Sequence, residues 1–238
     1  MKTQVILAAG GQGSRLNASI PKSLVLLKGK PLLVFSLEVF ELCPLIDSVI
    51  IVAPEQKLSD VERAVGDFSY TKVNRVVPGG MRRRDSVANG LKALNRETEI
   101  VLIHDAARPL ISLKLLEQSI IACQKESAVI TAVPIKSTIK RVNSENLFVE
   151  STLDRRLLWE VQTPQVFQKH LIVNAHREYP DMDVTDDAYL VEMTGQPVRV
   201  IPGSYRNIKI TTPEDLVVAA SLMDQSDTIL AEARGADD

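Results

Sequence analysis

The feature that most constrains this chain is a regular alternation of two kinds of segment. Short runs rich in Val and Ile recur at Gln4–Ala9, Ser48–Ala53, Lys72–Val77, Glu99–His104 and Ala128–Val133, each bounded by Gly, Pro or charged residues. A run of that length with no polar alternation predicts a strand buried on both faces. Between the runs, Leu32–Leu42, Gln56–Val65, Ser86–Leu94 and Ser112–Lys125 return apolar residues every three or four positions, the spacing of a helix with one buried face. Strands alternating with helices predict an α/β fold, a mostly parallel sheet with helices on both faces. The 238 residues, 45% hydrophobic and 24% charged, suit one ordinary globular domain and exclude a disordered or fibrous chain.

The pattern changes after Pro134. Thr138–Val142 and Leu147–Ser151 alternate apolar and polar residues around the polar turn Asn143-Ser144-Glu145-Asn146, which predicts a β-hairpin arm over about residues 136–157. Helices are then expected near Gln168–Arg177 and Asp186–Thr194. A strand is expected at Pro197–Ile201, a short one around Asn207–Ile210, and a last helix from Pro213 to about Met223. With no linker or repeat, residues 1–238 read as one domain carrying an arm, with a frayed end from Ala233 to Asp238.

A formal charge of −2 gives no overall basic field, and 4% aromatic residues leave few stacking platforms, so neither nucleic acid nor an anionic membrane surface is an expected partner. The apolar stretch Val5–Ala9 is cut short by Gly10, Gly11 and Arg15, too short for a signal-peptide core. No stretch approaches the ~18 apolar residues of a membrane span. Cys43 and Cys123 are too distant in sequence to form a CxxC metal site or a disulfide framework, and the reducing cytoplasm is the expected compartment.

Chemistry concentrates in three turns. The first is Leu7-Ala8-Ala9-Gly10-Gly11-Gln12-Gly13-Ser14-Arg15, directly after the first strand and followed by Lys22. Glycines allow backbone N–H groups to approach anionic oxygens while Arg15 and Lys22 supply charge, as a triphosphate cradle requires. The loop lacks GxxxxGK[ST] and the third glycine of GxGxxG, and by itself equally fits a glycine-rich turn with two solvated cations. The second is His104-Asp105-Ala106-Ala107-Arg108-Pro109, ending a strand at the edge where parallel sheets bind ligands. Asp105 suits Mg²⁺ or a bound nucleotide or acceptor, and equally a helix N-cap or a partner for Arg108. His104, His170 and His176 have no zinc spacing.

The third turn is Gly79-Gly80-Met81-Arg82-Arg83-Arg84-Asp85-Ser86-Val87, where Ser86 could cap the following helix or read a base edge. Further along lie Lys136, Thr138, Lys140 and Arg155 around the arm, Thr163-Pro164-Gln165, Thr185-Asp186-Asp187 and Asn207 to Pro213. Each has a local explanation, with Thr185 and Thr212 as N-caps and the lysines as solvated charge.

Together these blocks resemble the 2-C-methyl-D-erythritol 4-phosphate cytidylyltransferase family. The resemblance rests on Ala8–Pro31, Gly-Gly-x-x-Arg-x-Asp-Ser-Val, His-Asp-Ala-Ala-Arg-Pro, Val133–Lys140, Leu158–Gln165, Thr185–Ala188 and Asn207–Leu216, in order along nearly the whole chain. It implies a Rossmann-like sheet, an arm that swaps against a partner in a homodimer, and transfer of CMP from CTP to methylerythritol phosphate with release of pyrophosphate. Under the family pattern Ala8, Ala9, Gly10, Gly11, Gly13, Arg15 and Lys22 hold the triphosphate. Gly80, Arg83 and Ser86 help recognise cytidine, with Arg82 and Arg84 competing for the role of Arg83. Asp105, Arg108, Thr138, Arg155, Thr185 and Lys209 surround the acceptor, Thr138 and Arg155 serving the partner's site. Arg15, Lys22, Arg155 and Lys209 are the implied catalytic groups, and Asp105 the implied ligand of Mg²⁺ or another divalent cation. Ribitol-5-phosphate cytidylyltransferase shares the loop and Gln-Thr-Pro-Gln, but Asp105-Ala106-Ala107-Arg108-Pro109 and Leu153–Trp159 depart from its pattern. A non-catalytic nucleotide-binding subunit on the same fold is the reading from a different class.

Overall fold

The computed structural model describes residues 1–11 and 20–235, with side chains of the last helix up to residue 225. The first half follows the strand–helix alternation: β1 (Thr3–Ala8), a two-strand hairpin of β2 (Leu26–Leu27) and β3 (Lys30–Pro31), α1 (Leu32–Leu42), β4 (Ser48–Ala53), α2 (Leu58–Gly66), β5 (Val73–Pro78), α3 (Arg83–Lys92), β6 (Ile100–Asp105), α4 (Leu113–Glu126) and β7 (Ala128–Pro134). The arm follows as β8 (Lys140–Val142) and β9 (Val149–Thr152). Then come β10 (Trp159–Gln168), α5 (Lys169–Glu178), α6 (Ala188–Met193), β11 (Arg199–Pro202) and α7 (Pro213–Gly235).

The seven-stranded sheet has the order β11–β7–β10–β6–β1–β4–β5, and only β10 runs antiparallel to its neighbours. Alternate residues of the apolar runs enter opposite layers. Val5, Leu7, Val49, Ile51, Ile100 and Leu102 pack with α1, α2 and α4, whereas Ile6, Ile50, Val52, Val101 and Ile103 pack with α3, α5 and α6. Because both faces are covered, the strand sequences are continuously apolar. A smaller cluster of Leu27, Leu32, Phe35, Ile210 and Ala219 seats α7 against the β2–β3 hairpin.

The topology places the site. From β1 the chain crosses outward to β4 and β5, then returns to lay β6 on the other side of β1, so the crossovers diverge between β1 and β6. The crevice beyond the carboxyl ends of those strands is where open α/β sheets bind ligands. Their parallel register pairs Ala8 with Asp105 at that edge.

Several expectations need correction. Trp159–Gln168, for which the sequence offered no expected element, is a strand; its Pro164 is accommodated where the pairing with β7 shifts register between Val161 and Gln165. Asn207–Ile210 is not a strand. It is irregular chain, held by Arg108 and by hydrogen bonds from Asn207 to the β10 irregularity. α7 continues past Met223 to Gly235. The arm is an antiparallel hairpin, as its alternation predicts, and Asn143 Oδ1 organises the turn by accepting the N–H of Glu145 (3.0 Å) and Asn146 (3.2 Å). Both cysteines are buried free thiols. No helix among the described residues is long and apolar enough to cross a membrane.

Candidate active site

Two clefts meet at the carboxyl edge of β1 and β6. The first, about 300 Å³, is lined by Ala8, Ala9, Gly10, Gly11, Lys22, Gly80, Ser86 and the methylene-rich side chain of Met81. The second, about 420 Å³, is lined by Arg108, Thr185, Asp186 and residues of the β10 irregularity. Arg83, Asp105 and Lys209 line both. Gly13 and Arg15 lie outside the described residues.

Asp105 is the hub of this boundary. Its Oδ1 accepts Arg83 Nε at 3.1 Å and its Oδ2 accepts Lys209 Nζ at 2.6 Å. Burial works against its charge, but Arg83 and Lys209 outweigh burial and hold the carboxyl well below the usual carboxylate range. Neither sequence-level alternative applies: no helix starts at Asp105, and its carboxylate hydrogen-bonds Arg83 and Lys209 rather than Arg108. Arg83 also donates through a terminal nitrogen to Asp187 Oδ2 at 2.6 Å; burial disfavours its charge, and the two carboxylates raise its pKa nonetheless.

The backbone of Asp105 is fixed from below. Thr163 Oγ1 accepts the Asp105 N–H at 3.0 Å, and because the Arg108 carbonyl facing His104 Nε2 can only accept, neutral His104 leaves Nδ1 to accept the Thr163 hydroxyl proton, 3.0 Å away. The His104 proton thus sits on Nε2 and is donated to the Arg108 carbonyl at 3.1 Å. His104 is fully buried, and desolvation pushes its pKa down to about 4, so it stays neutral. The two glutamines of Gln162-Thr163-Pro164-Gln165 are clamps: Gln162 exchanges hydrogen bonds with Ser204, and Gln165 accepts the N–H of Asp187 and Ala188 while donating to Asp186. Asn207 donates to the Thr163 carbonyl (2.8 Å), and Ile210 N–H reaches the Ala107 carbonyl (2.8 Å), which holds Lys209 over Asp105.

The arginine run divides its labour. Arg82 pairs with Asp85, whose carboxylate accepts the Arg82 N–H and so starts α3. Arg84 is buried and donates to the carbonyls of His176, Tyr179 and Pro180, satisfying the end of α5. Arg83 is the one joined to Asp105. Ser86 lies inside α3 rather than at its cap; its hydroxyl accepts the Gly80 N–H (3.1 Å) and donates to the Arg82 carbonyl (3.2 Å). Glycine is required beside it, because a Cβ on Gly80 would stand 2.3 Å from Asp85 Cβ and one on Gly79 2.8 Å from Ser86 Oγ.

Thr185 is exposed at the second cleft and does not cap α6, whose first-turn N–H of Tyr189 goes to Asp186. Arg108 is buried, donating to the carbonyls of Asn207 (2.7 Å) and Val161 (3.3 Å), so it braces the cleft wall. Thr138 and Arg155 are exposed on the arm and line neither cleft; Arg155 donates to the Lys136 carbonyl at the arm's base. Asp187 and His176, joined at 3.1 Å, were not singled out by sequence reasoning, although Asp187 sits in the Thr185-Asp186-Asp187 block.

In the first cleft a divalent cation would find one carboxylate among the described residues, Asp105, and no group of three His, Cys, Asp or Glu among those residues could cage it. That donor set fits an ion held mainly by substrate phosphates and water, the usual habit of Mg²⁺.

The comparisons agree with the geometry. The profile of the family described as IspD, 2-C-methyl-D-erythritol 4-phosphate cytidylyltransferase, matches residues 3–225. The enzyme of that name from Alkaliphilus oremlandii is 43% identical over 225 residues, covering 93% of this chain and 95% of the relative. The one from Syntrophotalea carbinolica is 44% identical over 228 residues, covering 94% and 97%. The crystal structure of 4-diphosphocytidyl-2C-methyl-D-erythritol synthase from Anaerococcus prevotii superposes with a TM-score of 0.83 at 31% identity, over 94% of this chain and 96% of that one. Family and fold favour this reading over the ribitol phosphate enzyme and the non-catalytic subunit. The chain belongs to the 2-C-methyl-D-erythritol 4-phosphate cytidylyltransferase family, nucleotidyltransferases that transfer CMP from CTP to methylerythritol phosphate and release pyrophosphate.

Proposed function

We propose that the first cleft takes CTP, the second takes methylerythritol phosphate, and the reaction occurs across the boundary that Arg83, Asp105 and Lys209 form between them. The observation that carries this assignment is that these three residues line both clefts. The triphosphate is held by the backbone of Ala8 to Gly11, with Lys22 as oriented charge and Gly13 and Arg15 completing the loop. Gly80, Ser86 and Arg83 face the nucleoside. Asp105, Arg108, Thr185 and Lys209 define the acceptor side.

The acceptor's phosphomonoester, with a second pKa near 6, is largely a dianion at neutral pH, so its oxygen attacks the α-phosphorus without a general base. The obstacle is repulsion between two anions. Lys22, Arg15 and Lys209 neutralise charge, align the attacking oxygen with the leaving pyrophosphate, and stabilise the charge that grows there. Asp105, kept ionised, pairs with Lys209 and Arg83 and aims both at the boundary. A divalent cation, Mg²⁺ or similar, supplies further neutralisation when bound, with Asp105 as the described carboxylate within reach.

Thr138 and Arg155 serve the acceptor site of the partner in a homodimer joined through the arm. Leu147, Phe148 and Leu157, each more than 70% exposed, support an arm that packs on another copy. Buried free thiols accord with a cytoplasmic setting. The deciding experiment is pyrophosphate release from CTP and Mg²⁺ with methylerythritol 4-phosphate, ribitol 5-phosphate or no acceptor. Release with the first alone is expected; release only with ribitol phosphate would move the chain to another acceptor.

A further inference from the structure

Asp187 is a fully buried carboxylate that lines neither cleft, yet it holds one of the three groups that line both. Its Oδ2 accepts Arg83 at 2.6 Å, its Oδ1 faces His176 Nε2 at 3.1 Å, and its own N–H is accepted by Gln165 Oε1 at 3.2 Å. An ionised group at no exposure is costly to keep, and hydrophobic packing at such a place is commonly as stable or more so. What the charge obtains here is direction. Arg83 projects from the first turn of α3, pinned by Asp105 through Nε and by Asp187 through a terminal nitrogen, so its planar guanidinium has two fixed edges. Removing Asp187 would leave Arg83 on the single oxygen of Asp105, free to rotate about Nε.

We propose that Asp187 is a positioning residue, with His176 behind it, that orients Arg83 and through it the Asp105–Lys209 pair at the boundary of the two clefts. The inference rests on Arg83 facing the nucleotide, as proposed above. His176 extends from α5 with 7% exposure, and its Nδ1 is a buried atom with no hydrogen-bond partner among the described residues. A buried imidazole that leaves one nitrogen unsatisfied, in order to present the other to Asp187, marks this contact as the reason for a histidine there.

The test is a kinetic and thermal cycle on Arg83→Ala, Asp187→Asn and the double variant, measuring kcat, KM for CTP, and Tm. Arg83→Ala is expected to lower kcat/KM for CTP by about 30-fold or more and Asp187→Asn by about 10-fold. On the Arg83→Ala background, Asp187→Asn should change kcat/KM by less than about 2-fold. In that background it should also raise Tm, because it neutralises a carboxylate stranded without its cation. A merely structural Asp187 would instead lower activity by the same factor in both backgrounds, and that result overturns the proposal. Kinetic silence of Asp187→Asn overturns it as well. Silence of Arg83→Ala would sink the placement of Arg83 at the nucleotide, a failure distinct from multiplying losses. Should Asp187→Asn alone not fold, the double variant against Arg83→Ala decides, and His176→Gln, which leaves both charges in place, should cost about 3-fold only while Arg83 is present.

Discussion

At the residue scale the site depends on buried groups whose ionisation folding has altered. His104 is neutral at a pKa of about 4 in the folded chain against an ordinary value of 6.5. Below pH 6.5 the unfolded chain takes up a proton that the folded chain refuses, so stability rises with pH between about 4 and 6.5 and this contribution is constant above. The group is worth on the order of 3 kcal/mol across that window. Urea unfolding between pH 4.5 and 7 should show a steep slope in the native chain and a shallower one in His104→Gln, whose amide does not titrate. Equal slopes would remove His104 as the cause. Asp105 and Asp187, both depressed, contribute in full above the ordinary carboxylate range and lose that contribution as pH falls, because acid protonates the unfolded carboxylates first. Lys22→Ala tests the phosphate loop from the other side: turnover should fall on the order of 100-fold or more in a folded variant, and unchanged turnover would take Lys22 out of catalysis.

At the element scale, β1, β4, β6 and β7 and the helices α1 to α4 were legible because periodicity is a direct record of burial, and both faces of this sheet are covered. β10 was not legible. Its Pro164 and its polar pair Gln162 and Gln165 are features of an irregularity that builds the second cleft, and they erase the pattern a central strand would otherwise display. The expected strand at Asn207–Ile210 failed for a related reason: Ile208 and Ile210 alternate with polar neighbours, but the stretch is tied by Arg108 on the Asn207 carbonyl, by the Asn207 side chain on the Thr163 carbonyl and by the Ile210 N–H on the Ala107 carbonyl, which fix Lys209. The site blocks were recognisable as motifs, whereas the role of each arginine in the run was not, since only the three-dimensional placement of α5 separates Arg84 from Arg83. That placement depends on close packing of α3 on β1. A Cβ on Gly90 would lie 2.7 Å from Ile6 Cγ2 and 3.1 Å from Val52 Cγ2, both in the packed core. Gly90→Ala should therefore destabilise the chain by about 1–2 kcal/mol despite the better helix propensity of Ala, as denaturant unfolding would measure. A more stable variant would mean that α3 can move off β1 without cost.

At the scale of the whole molecule, the chain places Ala8 to Gly11, Asp105 and Lys209 at its own sheet edge, while Thr138 and Arg155 stand on the arm outside both clefts. If the arm reaches across a two-fold dimer, as proposed, every acceptor site is composite, and inactivating changes in the two contributions become separable. Lys22→Ala disables a chain's own loop, and Arg155→Ala disables what it gives its partner. A mixed dimer of the two variants then contains one site with an intact loop facing an intact Arg155. Denaturing and refolding a one-to-one mixture of the two nearly inactive proteins should restore about a quarter of the native rate, the share expected for random pairing in a two-fold dimer. Arg155 acting within its own chain leaves every site of every pairing defective, and the mixture would be as inactive as its components.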